Sequence, residues 1–281
     1  MKFGVFHLVW AMPLSDMPAL AARARAAGAD VLEIAISREP LPFDAAAARR
    51  ALAAEGLEGT LVTSLNGDTD ITADDEGTRR AGRDFLKRYV EHAAELGSPL
   101  LSGALYGSVF TPRYLSPDER ALRWGYTVEA LAELGPFAES AGVRVAIEPL
   151  SRFHTSLVNT AADGRRLVDE VGHPAIGLLL DSFQMNIEEK SLRGAVQTAG
   201  DRVFHVHAAE NDRGTPGSGQ VHWTGLRDGL RDIGYDGRLI IESFNPDIPD
   251  LANFIKLWRR VEVDQDTLAR DGVRFLRELF A

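Results

Sequence analysis

The sequence contains no cysteine, which excludes a disulfide framework, a thiolate metal site and a cysteine nucleophile. Long hydrophobic runs are also missing, so we expect no membrane span. Basic residues are outnumbered, with Lys plus Arg at 31 against Asp plus Glu at 41, and the net charge of −10 disfavours nucleic acid as a partner. Residues 1–6 lead into a strand-like segment without a signal-peptide pattern, and we therefore expect a cytoplasmic protein.

Strand-like and helix-like segments alternate along all 281 residues. Hydrophobic residues make up 45% and charged residues 26%, which is ordinary for a globular protein. Several helical segments begin at residues typical of helix N-caps: Ser15, Ser116 (followed by Pro117) and Thr160. The predicted strands are 3–10, 31–36, 59–65, 99–106, 143–148, 176–181, 203–207 and 238–243.

Eight strand–helix units without an intervening linker predict a single α/β domain over residues 1–281, folded as a (β/α)8 TIM barrel. A doubly wound open sheet is the alternative. That fold usually carries a glycine-rich phosphate-binding turn after its first strand. The residues at this point, 7–10, read His-Leu-Val-Trp and do not fit such a turn.

Four consecutive strands of the second half end on side chains that can bind a metal: Glu148, Asp181, His207 and Glu242. Each alone would be read as a polar group at a strand end. In a barrel, however, these ends meet at one mouth, where active sites lie, so the pattern predicts a shared site. Three carboxylates and one imidazole suit Mn²⁺, Mg²⁺ or Co²⁺ better than Zn²⁺. His205, two residues before His207, is predicted to be an interior residue rather than a ligand.

The sequence around Glu148, Asp181, His207 and Glu242 resembles the ketose 3-epimerases, the D-tagatose/D-psicose 3-epimerase group of the xylose-isomerase-like barrels. The resemblance covers essentially the whole chain and is strongest over residues 143–244. It implies a xylose-isomerase-like TIM barrel, one divalent ion (most often Mn²⁺), a keto-sugar substrate, and a homodimer or homotetramer. The stretches that carry the resemblance are 148–153, 180–189, 205–207, Arg213, 216–219, 234–237 and 242–244.

The resemblance also implies a role for each matched residue. Glu148 and Glu242 would ligate the metal and exchange protons with the carbon beside the ketone, through a metal-stabilised enediolate. Asp181 and His207 would complete the metal site. Arg213 would contact the substrate, although the sequence alone leaves open a surface arginine in a loop.

Two positions depart from the family pattern. His154 stands where the family places a glutamate, and Gln184 where it places a histidine; both family residues contact the same end of the sugar. The exchange alters which groups donate and which accept hydrogen bonds, and so puts the usual ketohexoses in doubt. Further candidates for the substrate pocket are His7, Asn66 and Phe244.

The sequence and its resemblance therefore predict a metal-dependent sugar epimerase or isomerase acting on a ketose or keto-sugar, most directly by 3-epimerisation. A lyase using the same proton abstraction, a dehydratase or a keto-glycoside-cleaving enzyme, is the alternative. A metal-dependent endonuclease barrel is disfavoured by the charge, and a non-catalytic sugar-binding barrel would not need all four ligands. The glycine-rich run 214–219 leaves a phosphate site open.

Overall fold

Eight parallel strands close into a barrel in chain order, each pairing with its sequence neighbour and β1 pairing with β8. The computed structural model describes residues 1–10, 14, 16–36, 43–110 and 112–281. The strands are β1 (Lys2–Phe6), β2 (Val31–Ala35), β3 (Glu58–Ser64), β4 (Leu100–Ala104), β5 (Arg144–Ile147), β6 (Ile176–Asp181), β7 (Val203–Ala208) and β8 (Arg238–Ile241). This confirms the predicted (β/α)8 TIM barrel.

Helices cover the outside of the barrel. Among the described residues, no helix combines the length and the apolar character needed to cross a membrane. The helices are α1 (Met17–Ala26), α2 (Ala45–Ala54), α3 (Glu76–Leu96), α4 (Pro117–Ser140), α5 (Ala161–Val171), α6 (Ser182–Glu188), α7 (Leu192–Ala199), α8 (Trp223–Asp232), α9 (Pro249–Ile255) and α10 (Gln265–Phe280).

Helix starts follow the capping chemistry of the sequence. The Ser116 side chain accepts a hydrogen bond from the Glu119 amide with Pro117 in the first turn, and Thr160 forms a complete capping box with Asp163. The predicted cap at Ser15 lies outside the described residues. Asp16, expected inside the first turn, is itself the N-cap of α1 and accepts from the amide of Ala19.

The first strand is the predicted element that differs most from the structure. The first strand ends at Phe6, and His7–Val9 form a 3₁₀ turn instead of continuing the strand to residue 10. A short run of consecutive apolar residues such as Leu8-Val9-Trp10 fits either structure, which explains the error. Between β6 and β7 the chain forms two helices, α6, which starts immediately after β6, and α7.

The strands are buried on both faces, which explains their nearly continuous apolar sequence. Gly103 in β4 lets two strands approach closely: its φ is +121°, and a Cβ there would lie 2.0 Å from the Thr63 carbonyl oxygen. Its own carbonyl accepts the Glu148 amide at 2.9 Å. The backbone that presents Glu148 is therefore fixed by a position that only glycine can occupy.

Candidate active site

The four strand-end residues lie together at the carboxyl end of the barrel. Glu148 follows β5, Asp181 ends β6, His207 lies in β7 and Glu242 follows β8. All four are buried. Glu148, His207 and Glu242 each offer a ligand atom, and these atoms lie within 4.8 Å of one another. Such a cluster could hold a metal ion.

Asp181 joins this cluster and also starts α6. Its Oδ1 accepts the Phe183 amide at 2.9 Å, which is an N-cap contact. Its Oδ2 lies 3.4 Å from Nη1 of Arg213, and that same nitrogen lies 2.5 Å from Oε2 of Glu242. Oδ1 of Asp181 therefore caps helix α6, and Oδ2 faces the cluster.

Arg213 points into the site rather than into solvent, with its side chain only 12% exposed. Its guanidinium carbon lies 3.9 Å from the centre of the Phe183 ring. Its backbone has a φ of +66°, in the left-handed region, and its carbonyl accepts a hydrogen bond from the Ser243 hydroxyl at 2.5 Å. A non-glycine residue held in this conformation beside a buried cluster is typical of functional sites.

Burial and neighbouring charges give the carboxyl groups of Glu148, Asp181 and Glu242 different pKa values. Burial, reinforced by Glu242, raises the pKa of Glu148 well above its usual value. Burial raises the pKa of Asp181 to about 6 against the opposing charge of Arg213. For Glu242 burial acts in the same direction, but Arg213 and His207 outweigh it and hold the pKa at about 2. Without a further cation the three groups cannot all ionise readily, so the donor set is suited to a divalent ion.

A cavity of about 170 Å³ opens above the cluster. Its polar floor contains Glu148 and Glu242. Of the predicted substrate contacts, Arg213, His154, Gln184 and Phe244 line it. The remaining described wall is largely apolar and includes Leu8, Ile36, Val62, Phe110, Phe254 and Ile255.

His154 and Gln184 form one hydrogen-bonded unit. Oε1 of Gln184 accepts the Ser151 amide at 2.9 Å and lies 3.4 Å from Nδ1 of His154, which is also 3.3 Å from the Ser151 hydroxyl. Since Oε1 of Gln184 is used in this way, its amide NH₂ is the group left for the cavity. Burial and the charge of Arg213 lower the pKa of His154, which favours a neutral ring.

The structure does not bring His7 and Asn66 into the cavity; neither is among the described residues that line it. His7 is fully buried, and its Nδ1 accepts the Ala35 amide at 3.1 Å. Asn66 is exposed and caps the 3₁₀ turn Gly67–Thr69, accepting from the Asp68 amide at 2.8 Å. Neighbours of His7, Phe6 and Leu8, line the cavity in its place.

Comparison with known proteins shows the family to which this chain belongs. The family model for the xylose isomerase-like TIM barrel matches residues 21–279. The chain belongs to this family. Its members share the barrel; the chemistry of the individual chain depends on the residues at the barrel mouth.

Several relatives match over almost the full length. The D-psicose 3-epimerase of Ruminiclostridium cellulolyticum is 32% identical, over 97% of this chain and 94% of the relative. The crystal structure of a Methylomonas D-allulose 3-epimerase in complex with D-allulose superposes with a TM-score of 0.92 at 31% identity, covering 99% of this chain and 96% of that one. The 3-dehydro-D-guloside 4-epimerase of Escherichia coli is 31% identical, over 66% of this chain and 72% of that protein.

These matches confirm the resemblance to ketose 3-epimerases that the sequence indicated, and with it the predicted enzyme class, the carbohydrate epimerases. The individual residue roles remain predictions.

Glu33, a fully buried carboxylate in β2, was not identified from the sequence. Its oxygens lie 2.7 Å from Nε2 of His205 and 2.6 Å from Nε2 of His207. His205 is thus an interior residue, as predicted. The signal that could have identified Glu33 is the single charge inside the otherwise apolar strand Val31–Ala35.

Glu210 was also missed, although it organises the glycine-rich loop after β7. The Glu210 carboxylate is buried and accepts hydrogen bonds from the amides of Asn211, Gly217 and Val221 and from the indole of Trp223, at 2.8–3.1 Å. Several amides of the loop are therefore already used internally, which disfavours the phosphate site that the sequence left open.

Proposed function

We propose that this protein is a divalent-metal-dependent epimerase that inverts a hydroxyl-bearing carbon next to the ketone of an unphosphorylated sugar, with C3 of a ketose as the first candidate. The observation that carries this proposal is the pair of buried carboxylates, Glu148 and Glu242, on the floor of a sugar-sized cavity. They come from β5 and β8, which do not neighbour each other in the barrel. Two such acids can exchange a proton with one carbon.

The site fits a divalent ion. Nδ1 of His207 is buried and, among the described residues, has no hydrogen-bond partner; it lies 3.5 Å from Oε2 of Glu242. An unpaired ring nitrogen surrounded by carboxylates is what a hard cation would use. Glu148, Asp181, His207 and Glu242 would hold the ion, with Mn²⁺ as our first choice and Mg²⁺ or Co²⁺ as alternatives. Once bound, the ion would stabilise negative charge on the two sugar oxygens beside the reacting carbon.

The chain's own residues would supply the proton transfer and the positioning. Of the two carboxylates, Glu242 and Glu148, one would take the proton from carbon and the other would return one. In the reverse direction the two exchange roles. Arg213 would donate to a sugar oxygen from its place against Phe183. The Gln184 amide and the neutral His154 ring would form hydrogen bonds with the end of the sugar that faces them.

Deuterium incorporation tests this function. Mn²⁺-loaded protein is incubated in D₂O with a panel of ketoses and 3-keto glycosides, and the recovered sugars are analysed by NMR. We expect deuterium at the carbon beside the ketone together with the epimer. Glu148→Gln and Glu242→Gln should each lower the exchange rate by about 10²–10⁴-fold. Glu262→Gln, outside the cluster, should leave it unchanged. Absence of exchange with every sugar would refute the proposal.

A keto-glycoside substrate is the second candidate. The apolar upper wall, formed by residues such as Ile36, Val62 and Phe254, leaves room for a sugar substituent. The Escherichia coli relative is named for a 3-dehydro-guloside. In the same experiment, exchange confined to 3-keto glycosides favours this candidate. Loss of the aglycone or of water would favour a lyase that uses the same proton abstraction.

A further inference from the structure

A buried carboxylate behind the proposed metal site is not used by the proposed chemistry. Glu33 is fully buried in β2 and is not among the described residues that line the cavity. Thr60 lies opposite it in the register with β3 and donates its hydroxyl to Oε1 at 3.0 Å. Nε2 of His205 lies 2.7 Å from the same oxygen. Among the residues that the structure describes, Oε2 has one hydrogen-bond partner, Nε2 of His207 at 2.6 Å.

The two oxygens of Glu33 therefore have different partners. Oε1 is held by groups that do not reach the metal cluster, and this fixes the carboxylate. Oε2 accepts from the far nitrogen of a predicted metal ligand. Because Nε2 of His207 donates to Oε2, the neutral ring, which is the form that binds a metal, has its lone pair on Nδ1, the atom that lies 3.5 Å from Oε2 of Glu242. A carboxylate behind a ligating histidine sets both the tautomer and the direction of the ring.

Glu33, His205 and His207 could themselves be read as a second metal site, since their ligand atoms lie within 4.8 Å of one another. Their spacing argues against it. The two nitrogen–oxygen distances of 2.6–2.7 Å are those of direct hydrogen bonds. Ligand atoms held about 2.0–2.2 Å from one ion in a tetrahedral site lie about 3.3–3.6 Å from each other, farther apart than these atoms are.

We propose that Glu33 is a positioning residue of the metal centre, whose Oε2 holds Nε2–H of His207 so that Nδ1 becomes the ligand atom. This inference rests on the proposed metal site. Glu33 is the one charged residue of β2, and the proposal gives it a function. Glu33 contacts neither the sugar cavity nor, by this geometry, the ion.

Metal affinity measured without any sugar tests the proposal. Mn²⁺ is titrated into the metal-free protein, and free Mn²⁺ is followed by electron paramagnetic resonance at constant pH. Glu33→Gln should bind Mn²⁺ about 10–100-fold more weakly than the parent. The matched control is Thr60→Val, which removes a donor to Oε1 but leaves the Oε2–His207 contact; its affinity should stay close to the parental value. Thermal unfolding of the metal-free variants shows whether each is folded.

Each outcome has a distinct meaning. A folded Glu33→Gln variant with parental affinity would overturn the positioning role and leave the metal site intact. If the parent itself bound no Mn²⁺, the proposed metal site would fail first. If Glu33→Gln does not fold, nitrogen-15 NMR of the Mg²⁺-loaded parent decides: we expect the His207 ring to carry its proton on Nε2. A proton on Nδ1 instead would overturn the inference.

Discussion

His154 illustrates how a single residue at the cavity links stability to pH. Burial and the nearby Arg213 lower its pKa below the ordinary value of 6.5. As pH falls below about 6.5, the unfolded chain takes up a proton on His154 that the folded protein resists binding. His154 should therefore lower the free energy of unfolding progressively as pH falls toward its folded-state pKa, and contribute no pH dependence above about 7.5.

We expect His154→Asn to remove this contribution. The difference in the free energy of unfolding, parent minus variant, should decrease between about pH 7.5 and about pH 5.5. Urea unfolding of both proteins at several pH values measures this difference. The contributions of other groups that titrate equally in the two proteins cancel in it. Parallel curves over this range would show that the folded protein does not resist protonation of His154.

The residues that the sequence could and could not predict differ in a physical way. Glu148, Asp181, His207 and Glu242 end apolar strands, and the geometry of a parallel barrel alone brings such ends together. His7 and Asn66 also lie near strand ends, but a local turn directs each side chain elsewhere. Whether a turn residue faces a cavity depends on a few backbone angles, which composition and spacing do not determine.

The loop between β7 and α8 is an element whose conformation depends on one buried side chain. Glu210 binds three amides of the loop and the Trp223 indole. The same residue's carbonyl accepts the Arg213 amide at 3.0 Å. Thr215 is tied to Glu262 by a single amide contact at 3.0 Å. Glu210 is therefore the principal anchor of the loop that presents Arg213.

We expect Glu210→Ala to destabilise the protein by about 2 to 4 kcal/mol, because several donors lose a buried acceptor. Glu262→Ala, which removes one contact of the same loop, should cost about 1 kcal/mol or less. Urea unfolding measures both losses, and limited proteolysis within residues 211–222 reports the release of the loop. Equal losses for the two variants would contradict the anchoring role of Glu210.

Element boundaries show where prediction from sequence succeeds. Strands β6 and β7 are buried at every position, and β6 matches its predicted bounds while β7 extends one residue further. The first strand was overextended because Leu8, Val9 and Trp10 continue its apolar sequence, although His7–Val9 form a 3₁₀ turn. Glu33 was overlooked for a related reason: its partners, His205 and His207, are about 170 residues away in sequence and meet it only across the closed barrel.

At the scale of the whole molecule, the proposed metal site joins four consecutive strands, β5 to β8, through their ends. An ion held by Glu148, Asp181, His207 and Glu242 would bind the folded chain and not the unfolded one, in which these residues are far apart. Ligand binding of this kind stabilises the fold by mass action. The closed barrel and its metal affinity are therefore thermodynamically coupled.

Adding Mn²⁺ at about 100 times its dissociation constant should stabilise the protein by about 2.7 kcal/mol, which corresponds to a rise in Tm of about 5 to 10 °C. Excess chelator should reverse the rise. His207→Asn is the control: its metal-free Tm will be lower, but the increment on adding Mn²⁺ should largely vanish. A parental increment in this variant would place the ion elsewhere, because a site that loses its only imidazole ligand cannot keep the same affinity.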